Sequence, residues 1–347
     1  MIKEEFCRKI LFLGIDYSAR GGVAAVESAY KSFIHPFNFI STVCDGCKLR
    51  KILILIIAIF KFVFFLLFKE CKIVHVHGAS NASFWRKRIF INIAKVFGKK
   101  IVYHIHGGGF EKFTNNHEKS VRKTLNKCDC IVALSEYWKD YFTQTLDCKN
   151  VFVIKNVIPA PQIDRKPHKK FVLLFMGLLV KEKGIYDLVE ILGEYKNEYK
   201  DNLELIIGGN GNDKILNEAI VSRNVESFVH YVGWVSGQKK NDLFNTADAY
   251  ILPSYIEGVP ISILEAMSYG LPIISTRVGG IPEIVSEGKN GLLFDAGDKK
   301  SMKKCIDIML ENKDMRTAMG ENSSKMCKEH LPDHVSKQLE ALYRSLL

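Results

Sequence analysis

The sequence is poor in the features that would take it out of ordinary globular chemistry. It holds no internal repeat and no low-complexity stretch, which excludes solenoids, arrays and fibrous proteins. Proline is scarce, with 9 in 347 residues, and three of these fall in one segment, VIPAPQIDRKPHKK at 157–170. No secretory pattern opens the chain: the apolar run behind MIKEEFCRK is short and continues strand-like into Gly14 and Asp16. The nine cysteines are odd in number and scattered, a usage that fits a reducing cytosol and not a disulfide framework. Cys44 and Cys47 have the spacing of half a zinc site, but no second Cys or His pair at ligand spacing follows, and a closed site needs four ligands. Cys128 and Cys130 read as buried strand thiols. No metal site is expected.

Acidic charge is scarce in one half only. Residues 1–165 hold 26 Lys+Arg against 13 Asp+Glu, whereas 166–347 hold 23 against 25. The formal net charge of +11 therefore belongs to the first half, which points to an anionic surface facing it. With 47% hydrophobic and 25% charged residues the chain is not disordered, and its length suits two domains that each bury a core.

One apolar run is long. Residues 52–68, ILILIIAIFKFVFFLLF, carry Lys61 as their single charge and lie at the lower length limit for a membrane span. A mid-bilayer lysine costs roughly 2.5–3.5 kcal/mol on insertion scales. Wound as a helix, Lys48, Lys51, Lys61, Lys69 and Lys72 would fall within an arc of about 140°. A basic stripe beside a wide apolar face describes a helix lying in a membrane interface, or one packed on a sheet. A span would put Gly21-Gly22 and Cys44 across the membrane from IVHVHG at 73–78 and split one sheet, so a span is not expected.

Short β-branched runs alternate with helical stretches throughout. Strands are expected at 9–15, 37–42, 72–78, 100–107, 130–135 and 151–156, then at 171–177, 203–209, 229–235, 249–254, 272–278 and 291–295, with a helix over 184–199. Continuous apolar strands separated by helices predict parallel sheets covered on both faces. The expected fold class is α/β, two Rossmann-like doubly wound domains facing across a cleft. The domains expected are 1–165 and 166–325, with the 157–170 segment as linker. The stretch 326–347 reads as an amphipathic helix crossing back to the first domain.

The densest constellation is PSYIEGVPISILEAMSYGLPII at 253–274. A strand ends, a loop carries Glu257 and Gly258, and Pro260 opens a helix containing Glu265. The amides of that first turn, from Gly258 and Val259 onward, suit a phosphate. Two carboxylates eight apart suit sugar hydroxyls, so the pattern fits a phosphate flanked by two polyols, as in a nucleotide-sugar. In FMGLLVKEKGIYDLVE at 175–190, Lys183 stands at a helix start, where a cation can join amides around a diphosphate. Gly209-Asn210-Gly211 lacks the third glycine of a dinucleotide fingerprint and reads as a close backbone approach to the cleft. Gly21 and Gly22 follow the first strand and let backbone approach a ligand. In YHIHGGG at 103–109, His104 and His106 share a face, with His106 nearer the cleft.

This ordered set resembles the family 4 retaining glycosyltransferases, the group 1 type with GT-B architecture, from Lys9 to about Gly291. It includes the Glu-x7-Glu signature, EAMSYGLPII behind it, TRVGGIPEIV at 276–285, VGWV, the Lys-Gly loop, the early Gly-Gly and the strand-end His. The resemblance implies that Glu265 holds the ribose, that Glu257 lies beside the transferred sugar, and that Lys183 neutralises the leaving diphosphate with the amides from Gly258 onward. It implies that Gly22 approaches the phosphates or sugar, and that His106 contacts the sugar. Two departures stand out: Leu178 occupies the place of the family's usual Arg, and Asn156-Val157 replaces the usual Asn-Gly. No Asp-x-Asp occurs, so metal-independent transfer is expected, with a UDP- or GDP-sugar as co-substrate and no cofactor.

The function expected is transfer to a lipid-linked or polysaccharide acceptor with retention, in cell-surface polysaccharide synthesis. The place expected is the cytoplasmic face of the cell membrane, with peripheral attachment to an anionic surface through the 48–72 stripe and Arg86-Lys87-Arg88. The same architecture also serves nucleotide-sugar epimerases and glycosyl phosphorylases. A non-catalytic basic protein binding membrane or nucleic acid is the alternative of another class, though no nucleic-acid motif accompanies the basic clusters. A catalytically dead scaffold is a third, against which both glutamates and Lys183 argue.

Overall fold

The computed structural model describes residues 2–16, 19, 21–165 and 168–347, so Lys166 and Pro167 of the expected linker lie outside the described residues. The chain divides into two compact units, Met1–Pro159 with Glu329–Leu347, and Ala160–Lys328. Each is a six-stranded, wholly parallel sheet with helices between its strands.

In the first unit the strands are β1 (Ile10–Gly14), β2 (Phe39–Ser41), β3 (Ile73–Gly78), β4 (Lys100–Ile105), β5 (Cys130–Ala133) and β6 (Val151–Val153). Their order in the sheet is β2-β1-β3-β4-β5-β6. In the second they are β7 (Phe171–Leu179), β8 (Leu203–Gly211), β9 (Val229–Tyr231), β10 (Ala249–Leu252), β11 (Ile273–Thr276) and β12 (Gly291–Phe294). Here the order is β12-β11-β10-β7-β8-β9. The central strands β1, β3, β5, β10 and β11 are buried along their whole length, as a sheet covered on both faces requires. Strand order reverses between β1 and β3 in one sheet and between β7 and β10 in the other. In open α/β sheets ligands bind at these reversals, beyond the carboxyl ends of the strands.

All twelve expected strands are present, and the differences lie in their ends. β7 and β8 run two residues further than the apolar pattern suggests, because Gly177 and Gly209 face each other in register and let pairing continue. A Cβ on Gly209 would lie 1.8 Å from the Gly177 carbonyl oxygen. The helix expected over 184–199 breaks at Tyr195 into Ile185–Glu194 and Lys196–Tyr199. The helix carrying the long apolar run spans Lys48–Phe68, and Lys69 already has extended backbone angles. Lys69 and Lys72 therefore lie off the helical stripe, which is reduced to Lys48, Lys51 and Lys61. The Cys44 side chain is buried and that of Cys47 exposed, while Cys130 is buried on β5.

The C-terminal helix Pro332–Leu346 closes the core of the first unit. The Tyr343 hydroxyl meets Nδ1 of His75 at 2.7 Å, and the backbone N–H of Ile158 donates to the His330 carbonyl at 3.0 Å. Nδ1–H of His330 in turn donates to the Asn156 carbonyl at 2.8 Å. His75 belongs to a ladder of imidazoles. His75 and His77 share a face of β3, His104 stands opposite His77 on β4, and His106 follows one residue past the strand. Neighbouring rings are 4.3–5.4 Å apart, against Phe12 and Tyr30.

Burial pushes all of these rings toward the neutral form. It lowers His75 and His106 to about 3 and His330 to about 4, and takes His77 and His104 well below the ordinary value of 6.5. The unfolded chain binds a proton at each ring below about pH 6.5, and the folded chain does so only far lower. Stability of the first unit is therefore complete above pH 6.5 and is lost as pH falls toward 3–4. Each ring contributes up to about 1.4 kcal/mol per pH unit within that window. Urea unfolding at pH 7.5, 6 and 5 is expected to show a steep fall in midpoint with uptake of several protons. A midpoint flat across that range would show that the rings are protonated in the fold.

Candidate functional site

The two strands that flank the reversal in the second unit carry its chemistry. β7 leads into a 3-10 turn, Lys181–Lys183, and then Gly184 with φ +68° caps the helix Ile185–Glu194. Only glycine serves at Gly184: besides the left-handed angle, a Cβ would lie 2.0 Å from the Pro253 carbonyl oxygen. β10 leads into Pro253–Pro260 and the helix Ile261–Ser268. The backbone N–H of Tyr255 donates to the Glu182 carbonyl at 2.8 Å and ties the two loops together.

Their side chains meet at Glu257. Its Oε1 pairs with Lys183 Nζ and accepts from Ser254 Oγ at 2.8 Å. Glu257 is 7% exposed, so both partners matter, because a carboxylate left buried without them would be strongly destabilising. The TRVGGIPEIV stretch sits directly behind this loop. Gly280 N–H donates to the Gly258 carbonyl at 2.7 Å, and Gly279, with φ +53°, approaches so closely that a Cβ would lie 2.0 Å from the Glu257 carbonyl oxygen.

Glu265 lies within the helix Ile261–Ser268 and has its own cation. Lys240 Nζ donates to its Oε1 at 2.6 Å, and the carboxylate is mostly buried. The two glutamates of the signature are thus held by separate lysines, from different elements. Pro260 stands at the N-cap of the helix Ile261–Ser268, directly after Gly258 and the buried Val259. Gly209 stands inside β8, and its close approach is to Gly177 of β7. Leu178 is half-exposed on β7 opposite Asn210, where the family's usual Arg would add a second cation beside Lys183.

The first unit holds the remaining expected residues around its own strand reversal. Gly21, with φ +143° and open space where a Cβ would point, caps the helix Gly22–Tyr30 beyond β1. His106 follows β4; its N–H donates to the Gly78 carbonyl at 2.7 Å, and its Nε2 lies 2.8 Å from Nδ1 of His77. A neutral imidazole has one donor and one acceptor nitrogen, so His77 sets what the other nitrogen of His106 offers. Ring nitrogens of His75, His77 and His104 come within 4.8 Å of one another, the one such trio with metal-ligand spacing among the described residues. All three ligands are neutral, and Lys87 acts on His77 electrostatically, so a divalent ion there would lack a counter-charge.

Sequence reasoning missed His77, Ser254, Lys240 and the buried pair Glu27 and Lys87. Glu27 accepts from the Ile15 N–H at 3.1 Å and Lys87 donates to the Gly14 carbonyl at 2.8 Å. Together they hold the end of β1, where the glycine loop departs. Burial raises Glu27 to about 8 and lowers Lys87 to about 7. Lys87 therefore lies in the core and offers no charge to a surface, in contrast to the reading of Arg86-Lys87-Arg88 as a contact cluster. The alternating His-x-His of β3 was a usable signal for His77. Nothing local marks Lys240, which sits 25 residues before its partner.

Residues 159–326 match the profile of the glycosyl transferases group 1, and residues 29–160 that of glycosyltransferase family 4. An uncharacterized glycosyltransferase of Methanocaldococcus jannaschii is 26% identical over 276 residues, 76% of this chain and 65% of that protein. The capsular polysaccharide biosynthesis glycosyltransferase CapM of Staphylococcus aureus is 24% identical over 196 residues, 54% of this chain and 50% of its own length. The chain thus spans between half and two thirds of these relatives. Among solved structures, the sucrose-phosphate synthase of Thermosynechococcus elongatus superposes with a TM-score of 0.83 at 15% identity, covering 97% of this chain and 98% of that one. HepE of Anabaena, in complex with UDP-glucose, gives 0.77 at 17% identity and covers 97% and 99%. Those likenesses carry the fold, two doubly wound α/β units of the GT-B type, and the profile matches across 29–326 carry the family: the chain belongs to the group 1, family 4 glycosyltransferases.

Proposed function

We propose that the protein transfers a sugar from a nucleoside-diphosphate sugar to a lipid-linked or polysaccharide acceptor in the synthesis of a cell-surface polysaccharide. The observation that carries this reading is the Lys183–Glu257 pair at the strand reversal, beside the start of the helix Ile261–Ser268. A diphosphate arriving there gains Lys183 and the first-turn amides from Gly258 and Val259, charge stabilisation aimed at the leaving group without a metal. Glu257, released from Lys183, accepts from a hydroxyl of the sugar, and Glu265, oriented by Lys240, accepts from the ribose. Leu178 supplies no charge, so Lys183 carries the diphosphate without the second cation usual in the family. In the first unit, Gly21-Gly22 and His106 are assigned to the phosphates and the transferred sugar. Gly209 is assigned to shaping the backbone near the donor.

Transfer with retention then proceeds on one face. The bond from the anomeric carbon to the diphosphate oxygen breaks, the acceptor hydroxyl oxygen bonds to that carbon from the same side, and its proton passes to the departing phosphate. The UDP-glucose complex of HepE supports a uridine nucleotide as donor, and CapM supports a capsular product. The basic excess of residues 1–165 supports work at the inner face of the membrane, where a lipid-linked acceptor is presented.

A screen of UDP-, GDP- and ADP-sugars with membranes as acceptor, read by nucleoside diphosphate release, tests the activity. One donor is expected to respond, and silence from all of them overturns the reading. With the responding donor, Glu257→Ala is expected to cut turnover by on the order of 10²–10³-fold with the fold retained. Full activity in that variant would remove Glu257 from the site. Lys183→Met is expected to weaken UDP binding by calorimetry by about tenfold or more, as loss of one charge-assisted phosphate contact predicts. Undiminished UDP affinity would place the diphosphate elsewhere.

A further inference from the structure

The helix Lys48–Phe68 is held to its own unit by a single stripe. Ala58, Phe62 and Leu66, spaced by four, are its buried residues, and Phe62 packs edge-on against Phe90 of the helix Ala82–Val96 at 5.3 Å. Leu55, Ile59 and Phe65 pack partly buried beside that stripe, and the opposite apolar face points outward: Leu49 is 80% exposed, Phe60 72%, Phe64 58% and Phe68 67%, with Ile52, Leu53, Ile56, Ile57 and Leu67 exposed beside them. Isolated exposed apolar residues are ordinary, but a contiguous row nearly six turns long marks a surface made to be covered.

The charges around this face say what covers it. Lys48, Arg50 and Lys51 crowd the first turn of a helix that has no side-chain cap at Cys47. Cations there oppose the helix dipole, at about 0.3–1 kcal/mol each, so they do not serve the helix itself. They suit an anion brought to the helix start. No carboxylate occurs between Asp45 and Glu70, so a second copy laid on this face would set lysines against lysines. A span is excluded by the sheet: β2, before the helix, and β3, after it, both pair with β1, so the chain enters and leaves the helix on the same sheet. At the C-terminal half, the helix and Ile40 of β2 border a groove of about 660 Å³, lined by Phe60, Phe64 and Phe68 and flanked by Lys61 and Lys69.

We propose that this helix lies in the plane of an anionic bilayer, with its first-turn cations on lipid phosphates, and that the groove takes one hydrocarbon chain of an anionic lipid whose phosphate meets Lys61 and Lys69. The inference deepens the membrane-side reading above and rests on it for its biological setting. Its occupant is a phosphate-bearing lipid, the chemical form in which a lipid-linked acceptor would arrive.

Flotation of the full chain with phosphatidylcholine vesicles, with and without phosphatidylglycerol, tests the docking. Binding is expected with phosphatidylglycerol, reversed by high salt. It should be weakened on the order of a hundredfold in Lys48→Ala/Arg50→Ala/Lys51→Ala, at about 1 kcal/mol per cation. Phe64→Asp should abolish binding while circular dichroism and UDP affinity stay as in the parent. Equal binding to neutral vesicles, or none to either, overturns the proposal, and dimerisation abolished by Phe64→Asp would identify a second copy as the occupant. Vesicles with brominated acyl chains test the groove: tryptophan in Phe60→Trp and in Phe65→Trp, from the groove wall, should both be quenched. Quenching of the first alone would leave the helix docked and overturn the groove as a chain site. UDP binding separates the two layers: vesicle binding without UDP affinity sinks the enzymatic reading and leaves the docking intact, and the reverse sinks the docking.

Discussion

The buried carboxylate of Glu257 is the constraint around which the loops of the second unit's candidate site are arranged. It is buried, so it must be compensated, and it is compensated by groups from two different strand ends, Ser254 beyond β10 and Lys183 beyond β7. That one requirement brings together the loops at the strand reversal. The glycines around it follow from the same crowding: Gly184 and Gly279 lie where any side chain would meet a backbone oxygen of the loop carrying the carboxylate. The pair is also exchangeable in principle: an anion that took Lys183 from Glu257 would free the carboxylate to accept from another hydroxyl, which is what the proposed donor site asks of it.

The first unit solves a different problem with neutral groups. Four imidazoles stacked between Phe12, Tyr30 and Tyr343 are kept uncharged by burial, so His106 acts as a hydrogen-bonding group and not as a cation or a titrating base near neutrality. Its orientation is set by His77, and the ladder is closed by Tyr343, from a helix 268 residues away from His75 in the chain. Glu27 and Lys87 add fixed polar anchors under the end of β1. Supports of this kind fix the end of β1 and the ring of His106 in place.

Legibility of the sequence tracked the range of the physics. All twelve strands could be read from apolar runs, because burial on both faces of a parallel sheet writes itself into consecutive residues. Their ends could not, since the extension of β7 and β8 depends on Gly177 and Gly209 meeting across strands. The basic stripe was read with Lys69 and Lys72 included, and both fell off it when the helix ended at Phe68. Arg86-Lys87-Arg88 looked like a surface cluster, yet helical geometry turns Lys87 into the core toward Gly14. Among the candidate site residues, those in a contiguous motif, Glu257, Gly258 and Glu265, are legible in the sequence. Their partners Lys240 and Ser254 were not, because nothing in a linear pattern says which cation or hydroxyl meets which carboxylate.

By itself the sequence determined the α/β alternation, the spacing that places Glu257 in a loop and Glu265 inside the helix that follows, and the concentration of positive charge in residues 1–165. These are properties of composition and of periodicities shorter than about ten residues, which the backbone geometry of strands and helices converts directly into faces and ends. Tertiary structure decided the rest: that Lys183 pairs with Glu257 and Lys240 with Glu265, that His77 stands behind His106, and that the 48–68 helix packs one face, centred on Ala58, Phe62 and Leu66, on its own core and turns the opposite apolar face outward. Each of those outcomes depends on segments 25 or more residues apart, or on which face of an all-apolar helix the sheet takes. Local pattern leaves that choice open, and packing makes it.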